Sequence, residues 1–175
     1  MRPVIYDVAV SIDGYIAGPD GDISEFAEGG PVVSDYQARL QTYDCALMGR
    51  ATYEFGYRFG LSPGDNPYPH MDCFVFSRML EVPIDSDVQI IRDHPMERIA
   101  DLKGQQGGPI YLCGGGHFSG SLLASGLIDV LRLKRAPVVL GGGVLLFGAS
   151  ITAADMRCTE TKLYDGGYLF QEFDL

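Results

Sequence analysis

The sequence predicts an α/β fold: a mixed, mainly parallel sheet flanked by helices, with an antiparallel C-terminal part. Three observations carry this expectation. Short apolar, β-branched runs alternate with stretches of helical spacing as far as Gly126. Beyond Ile128 strand-like runs follow one another without long helices between them. Many of the 23 glycines stand directly after apolar runs, where a chain leaving a strand must turn tightly. A length of 175 residues without a compositional break fits one domain over residues 1–175.

Taken in order, residues 4–10 form an apolar run interrupted only by Asp7 and closed by the turn signal Asp13-Gly14. Residues 31–43 place Val33, Tyr36, Leu40 and Tyr43 at helical spacing, with Ser34 as the expected N-cap. Residues 45–48 make a short buried strand ending at Gly49, and residues 51–60 a short helix or irregular turn. Residues 61–71 carry three prolines and no periodicity, which reads as a loop. Strands follow at 73–77 and 88–91, then a helix entered through Pro95 and running to Lys103. A strand at 110–113 runs into Gly114-Gly115-Gly116, and a helix at 118–125 stops at Gly126. The remaining strands are expected at 129–134, 137–140, 155–163 and 167–173.

Composition narrows the function classes. Hydrophobic residues at 46% and charged residues at 21% describe an ordinary globular protein, not a disordered one. Thirteen basic against 23 acidic residues give a net charge of −10, which argues against binding nucleic acid or an anionic membrane. No apolar run is long enough to span a bilayer, and the N-terminus lacks a signal-peptide pattern, so a cytoplasmic domain is expected. Cys45, Cys73, Cys113 and Cys158 are far apart, no CxxC occurs and only three histidines are present, so no metal site is expected. Asp20-Gly-Asp-Ile-Ser resembles the start of a calcium loop, but Glu25 stands where glycine is needed and Pro31 where the closing glutamate belongs.

The chemistry concentrates where strands end. Strand 110–113 delivers the chain into three glycines and at once into a helix, an arrangement suited to a phosphate or pyrophosphate. It is neither GxGxxG nor a P-loop. Met48-Gly49-Arg50-Ala51-Thr52 follows another strand, offering a tight turn, a planar guanidinium and a hydroxyl. Ser77-Arg78 ends a third strand with the same pair of functions. Ligands of open α/β sheets collect at the carboxyl ends of strands, so these three exits point to one anion site, locally positive on an acidic chain.

Met48-Gly-Arg-x-Thr-Tyr-Glu, Phe76-Ser-Arg and Cys113-Gly-Gly-Gly, in that order, resemble the dihydrofolate reductase-like proteins. With Ser11-Ile-Asp-Gly-Tyr-Ile-Ala, Gly126-Leu-Ile-Asp and Pro137-Val-Val-Leu-Gly-Gly-Gly, the resemblance is closer to the C-terminal reductase domain of the bifunctional riboflavin-biosynthesis deaminase/reductase, over nearly the whole chain. It implies a mixed sheet of about eight strands that binds NADPH across its strand ends and transfers hydride to a small heterocyclic or sugar-linked imine. The activity implied is similar to 5-amino-6-(5-phosphoribosylamino)uracil reductase. Gly49, Arg50 and Thr52 would then meet the adenosine-side phosphates, and Ser77 and Arg78 the ribose 2′-phosphate. Gly114, Gly115 and Gly116 would receive the pyrophosphate, with Phe118 among the cofactor contacts. Ala9, Ile16 and Ala17 would border the nicotinamide.

On the substrate side the resemblance nominates Asp35 as the catalytic carboxylate, and Tyr36, Phe55 and Tyr57 as rings that could stack a planar heterocycle. Tyr15 stands where the riboflavin-pathway reductase usually carries a basic residue, and no run of arginine and asparagine is available to grip a ribose phosphate. Dihydrofolate reductase activity is the alternative, although the chain contains no Trp. A dinucleotide-binding module without turnover is the other. Tyr164, Tyr168, Phe170 and Phe173 are the expected contributors to a homodimer.

Overall fold

A computed structural model describes residues 1–149 and 153–175. Its strands are β1 (Val4–Val10), β2 (Tyr15–Ala17), β3 (Cys45–Gly49), β4 (Asp72–Phe76), β5 (Gln89–Ile91), β6 (Ile110–Gly114), β7 (Val130–Arg135), β8 (Val144–Leu145), β9 (Arg157–Leu163) and β10 (Leu169–Asp174). The helices are α1 (Pro31–Leu40), α2 (Arg50–Phe55), α3 (Pro95–Gly104) and α4 (Gly116–Ala124). Eight strands form one sheet in the order β5-β4-β3-β6-β1-β7-β10-β9, and β2 pairs with β8 in a separate two-stranded ribbon. Pairing is parallel from β5 across to β7, and β10 runs antiparallel to both β7 and β9. This is the expected mixed sheet with its antiparallel C-terminal part.

The central strands are almost wholly apolar, Asp7 of β1 excepted, because both faces are covered. Val4, Tyr6, Leu47, Phe74, Ile110 and Leu112 pack on one side with Ile99 and Leu102 of α3 and Leu122 of α4. Ile5, Ala46, Met48, Val75 and Tyr111 alternate to the other side, against Tyr43, Met71 and Leu80. That second face carries the site.

Several local expectations are corrected. Residues 137–140 form no strand: the Val138 carbonyl accepts from Ile12 N–H, and the N–H groups of Leu140 and Gly141 go to the Asp13 carboxylate. The short β2–β8 pair was not foreseen. Helix α1 ends at Leu40, not Tyr43, although Tyr43 is buried with its ring stacked on Tyr111 at 5.2 Å. Ser34 is not its cap. The helix begins at Pro31 after Gly30, and the Ser34 hydroxyl lies within it, donating back to the Gly30 carbonyl.

The C-terminal aromatic residues are used inside the chain. Tyr164 and Phe170 are buried against Val32, and Phe173 packs on the core. By contrast, all seven residues of β9, the outermost strand, are exposed. Among the described residues no helix is long and apolar enough to cross a membrane, and no cluster of His, Cys, Asp or Glu could hold a metal ion.

Candidate active site

The register of β4, β3 and β6 aligns their carboxyl ends: Gly49 pairs with Phe76, and Met48 with Gly114. The three expected anion-binding exits therefore lie side by side. A Cβ built on Gly115 would stand 3.0 Å from Thr52 Oγ1, so two of the loops meet with only backbone between them. Arg78 is exposed and has no ion-pair partner among the described residues. Arg50 is half exposed, 3.9 Å from Glu54. The Ser77 oxygen accepts from the N–H groups of Met79 and Leu80, which folds the turn that presents Arg78. Arg92, which sequence reasoning missed, braces that turn by donating to the carbonyls of Arg78 and Leu80. Exposed guanidinium groups, glycine backbone and the first turn of nine-residue α4 are the donor set a diphosphate requires, so the residues present fit a dinucleotide.

The glycine run serves packing as well. A Cβ on Gly116 would lie 2.1 Å from the Leu145 carbonyl oxygen, and one on Gly120 2.1 Å from that of Phe147. Between them the buried Ser119 hydroxyl donates to the Leu146 carbonyl at 2.8 Å. One face of α4 is thus pressed onto the backbone of 145–147. Phe118 turns toward the core, its ring 4.8 Å from that of Phe76 and its Cβ 3.4 Å from the position a Gly49 Cβ would take.

Beside this edge opens a cleft of about 730 Å³. Ala9 and Ile16, expected at the nicotinamide, line it; Ala17 is buried behind, its carbonyl 2.1 Å from where a Cβ on Gly143 would stand. The turn carrying these residues is held by Asp13, whose carboxylate accepts from the Ser11 hydroxyl at 2.6 Å and from Gly141 N–H at 2.7 Å. The Ser11 bond foremost, opposed by partial desolvation and aided by the backbone donors, brings its pKa down to about 2. The cleft floor is the sheet face formed by Asp7 and Ala9 of β1, Tyr111 and Cys113 of β6, and Lys134 of β7. Tyr36 and Tyr68 stand over it, and Phe55 and Phe59 wall the mouth. Of the rings expected to stack a heterocycle, Tyr36 and Phe55 are in the cleft; Tyr57 is not among its lining residues and instead packs edge-on against Tyr53.

Asp35 is not among the lining residues either. Tyr36 and Arg39 of α1 face the sheet, and Asp35, next in sequence to Tyr36, points to β9. There it accepts from Lys162 Nζ at 2.5 Å and the Tyr164 hydroxyl at 2.7 Å, and these bonds hold its pKa below the usual carboxylate range. The cleft's buried carboxylate is Asp7, 1% exposed. Arg39 donates to it through Nε at 2.7 Å and Nη2 at 3.2 Å, Lys134 Nζ at 2.9 Å and the Tyr43 hydroxyl at 3.2 Å. Burial would raise its pKa; the charges of Lys134 and Arg39 outweigh that and keep it ionised. Burial pushes the Lys134 ammonium down to about 8, against the pull of Asp7. Asp7 was visible in the sequence only as the lone charge in an apolar strand, and Lys134 only as one of three cations in the strand Val130–Arg135.

The profile of the RibD C-terminal domain family matches residues 2–170 of the chain. The uncharacterized protein YwjB of Bacillus subtilis (strain 168) is 33% identical over 167 residues, covering 93% of this chain and 92% of that protein. A crystal structure of a Shewanella sp. PV-4 protein provisionally assigned to riboflavin biosynthesis is similar at 26% identity and a TM-score of 0.81, covering 99% of this chain and 98% of that one. Dihydrofolate reductase from Enterococcus faecalis, complexed with NADP(H), shares the fold at a TM-score of 0.69 and 15% identity, covering 98% of this chain and 95% of that one.

Proposed function

Because the chain belongs to the RibD C-terminal domain family, we propose that it is an NADPH-dependent reductase acting on a small heterocyclic or sugar-linked imine. The observation that carries this reading is the meeting, at β6, of the sheet edge that bears Gly49, Ser77 and Gly114 with an aromatic cleft lined by Cys113, Ala9 and Ile16, the last two expected at the nicotinamide. When bound, the dihydronicotinamide supplies a hydride to the substrate carbon. The protein positions both partners, excludes water behind the rings of Tyr36, Phe55 and Phe59, and places Lys134 beneath the substrate.

An open cleft with polar groups at its floor supports an enzyme over a module that only holds the dinucleotide. The activity of 5-amino-6-(5-phosphoribosylamino)uracil reductase is the family precedent. Here the rim carries Asp22 and Glu28 against the single guanidinium of Arg58, itself tied to the Asp20 carbonyl at 2.8 Å, which favours an unphosphorylated substrate. The pairing of Asp35 with Lys162 weighs against folate reduction through a carboxylate on the first helix.

The test is cofactor selectivity at Arg78. Arg78→Ala is expected to weaken NADPH by about 10- to 100-fold, the loss of one charge-assisted bond of roughly 1.5–3 kcal/mol, and to leave NADH nearly unchanged. Equal loss for both cofactors would remove Arg78 from the 2′-phosphate.

Two-fold association is the other part of the proposal. An edge strand exposed along its length, with Leu163 73% exposed, is a template for pairing with a second copy. Light scattering is expected to give the mass of two chains, and Leu163→Lys to shift it toward one; a monomeric wild-type mass would contradict the pairing.

A further inference from the structure

We propose that Lys134 is the acid of the reduction, giving a proton from Nζ to the substrate heteroatom on the floor of the cleft. The inference rests on the reductase reading above and assigns the second half of its chemistry. As the carbon of a C=N or C=O group takes up hydride, the π electron pair moves to the heteroatom. One N–H bond of Lys134 then breaks, its proton passes to that heteroatom, and the amine left neutral is reprotonated from water at the cleft mouth. The two electrons come from the reduced nicotinamide.

Position is the first support. Lys134 pairs in parallel register with Ala9, the residue expected beside the nicotinamide, and both line the cleft. Its ammonium has three hydrogens. One is committed to Asp7 at 2.9 Å and another side of the nitrogen lies 3.4 Å from the centroid of the Tyr36 ring. Nζ has no other hydrogen-bond partner among the described residues, which leaves a hydrogen for a molecule in the cleft that Lys134 lines.

The surroundings provide the second support, because every other ionisable group at the floor is unsuited. Asp7 is ionised and bound by Arg39, Lys134 and Tyr43. Burial raises the hydroxyls of Tyr36, Tyr68 and Tyr111 and the thiol of Cys113, so none of them releases a proton near neutrality. Arg39 faces Lys134 across Asp7 from α1, and Arg132 lies two residues back on β7, tied to Glu172 and Tyr43; both guanidinium groups keep their protons. Lys134, 9% exposed and brought to about 8 chiefly by burial, holds a proton at pH 7 and can part with it.

The test begins with the three lysines, Lys103, Lys134 and Lys162, titrated by side-chain NMR in the intact chain saturated with NADPH and then with NADP+. Lys134 is expected to titrate well below the ordinary lysine value, and below Lys162, whose bond to Asp35 holds its proton. The Lys134 midpoint is expected to fall further, on the order of one unit, when the nicotinamide becomes positive, because a ring bordered by Ala9 would set its charge beside the buried Lys134. A midpoint at the ordinary lysine value, or one identical with the two cofactors, would overturn the assignment. With 5-amino-6-ribosylaminouracil, the unphosphorylated form of the family's substrate, as probe, Lys134→Met is expected to lower kcat about 100-fold or more while NADPH affinity stays within about twofold. Lys134→Arg is expected to be equally slow, since a guanidinium keeps charge but cannot yield its proton. Full turnover in Lys134→Arg would overturn the proposal. Failure of the wild-type chain to bind NADPH would remove the reductase reading itself, whereas binding with an indifferent Lys134 removes only its role as acid.

Discussion

Asp7→Ala is expected to cost about 3–5 kcal/mol of folding stability, read as a lower urea midpoint at unchanged slope. The carboxylate is fully enclosed, and its two cations, Arg39 and Lys134, are 18% and 9% exposed. Removing the anion leaves both facing one another without compensation, and it is this remainder, more than the lost hydrogen bonds, that destabilises. Adding Lys134→Met to Asp7→Ala is therefore expected to restore part of the loss. Strict additivity of the two changes would show that the residues are not coupled. The pH dependence has two limbs of the same sign, one acidic and one alkaline, and stability rises with pH in each. Asp7 has a folded pKa below its unfolded value, so its contribution is present above about pH 4 and disappears as pH falls through the folded value. Lys134 is lowered from 10.5 to about 8, so the unfolded chain holds that proton more tightly, and stability gains from this group as pH rises from about 8 to 10.5. The difference between wild type and Lys134→Met isolates that limb from the tyrosines and cysteines, whose raised values act in the other direction.

The adjacent glycines are expected to separate folding from binding. Gly116→Ala drives a methyl to 2.1 Å from the Leu145 carbonyl oxygen, which is backbone and cannot swing aside. A loss of about 3 kcal/mol is expected, at the upper end of ordinary overpacking, seen as a lower melting temperature whether or not cofactor is present. Gly115→Ala meets only the Thr52 hydroxyl at 3.0 Å, and its φ of −92° suits any residue. That variant is expected to fold with stability within about 1 kcal/mol of wild type. Its methyl would occupy the surface a pyrophosphate approaches, so NADPH affinity is expected to fall at least about tenfold. Normal affinity in folded Gly115→Ala would place the phosphates elsewhere.

How much of this was legible in the sequence depends on how local each signal is. The strands β1, β3, β4 and β6 are short, mostly apolar runs ended by polar or glycine turns, so their chain positions, and the glycines, arginines and hydroxyls gathered at three of their ends, could be read directly. The ribbon of β2 and β8 could not, because three and two residues are too few for a pattern, and their pairing is fixed by Asp13 and by the close approach of Gly143 to Ala17. The run at 137–140 has the composition of a strand, but the Asp13 side chain takes two of the N–H groups around its end, which composition does not reveal. The substrate side was misplaced for a related reason. An acidic residue in the first helix looks the same whether it faces the sheet or, as Asp35 does, a lysine 127 residues away. Asp7 did carry a signal: a carboxylate within a buried strand must meet cations, and β7 supplies Lys134 on the face that β1 shares. Only the register of the two strands shows that this lysine, rather than Arg132 or Arg135, is opposite Ala9.

Titration calorimetry of the folded wild-type chain with NADPH and with NADH tests the central claim most directly. One saturable site per chain is expected, with NADPH bound about tenfold or more tightly than NADH. A folded protein that gives no heat with either dinucleotide would contradict the assignment of the sheet edge, and the roles given to Arg78, Gly115 and Lys134 with it.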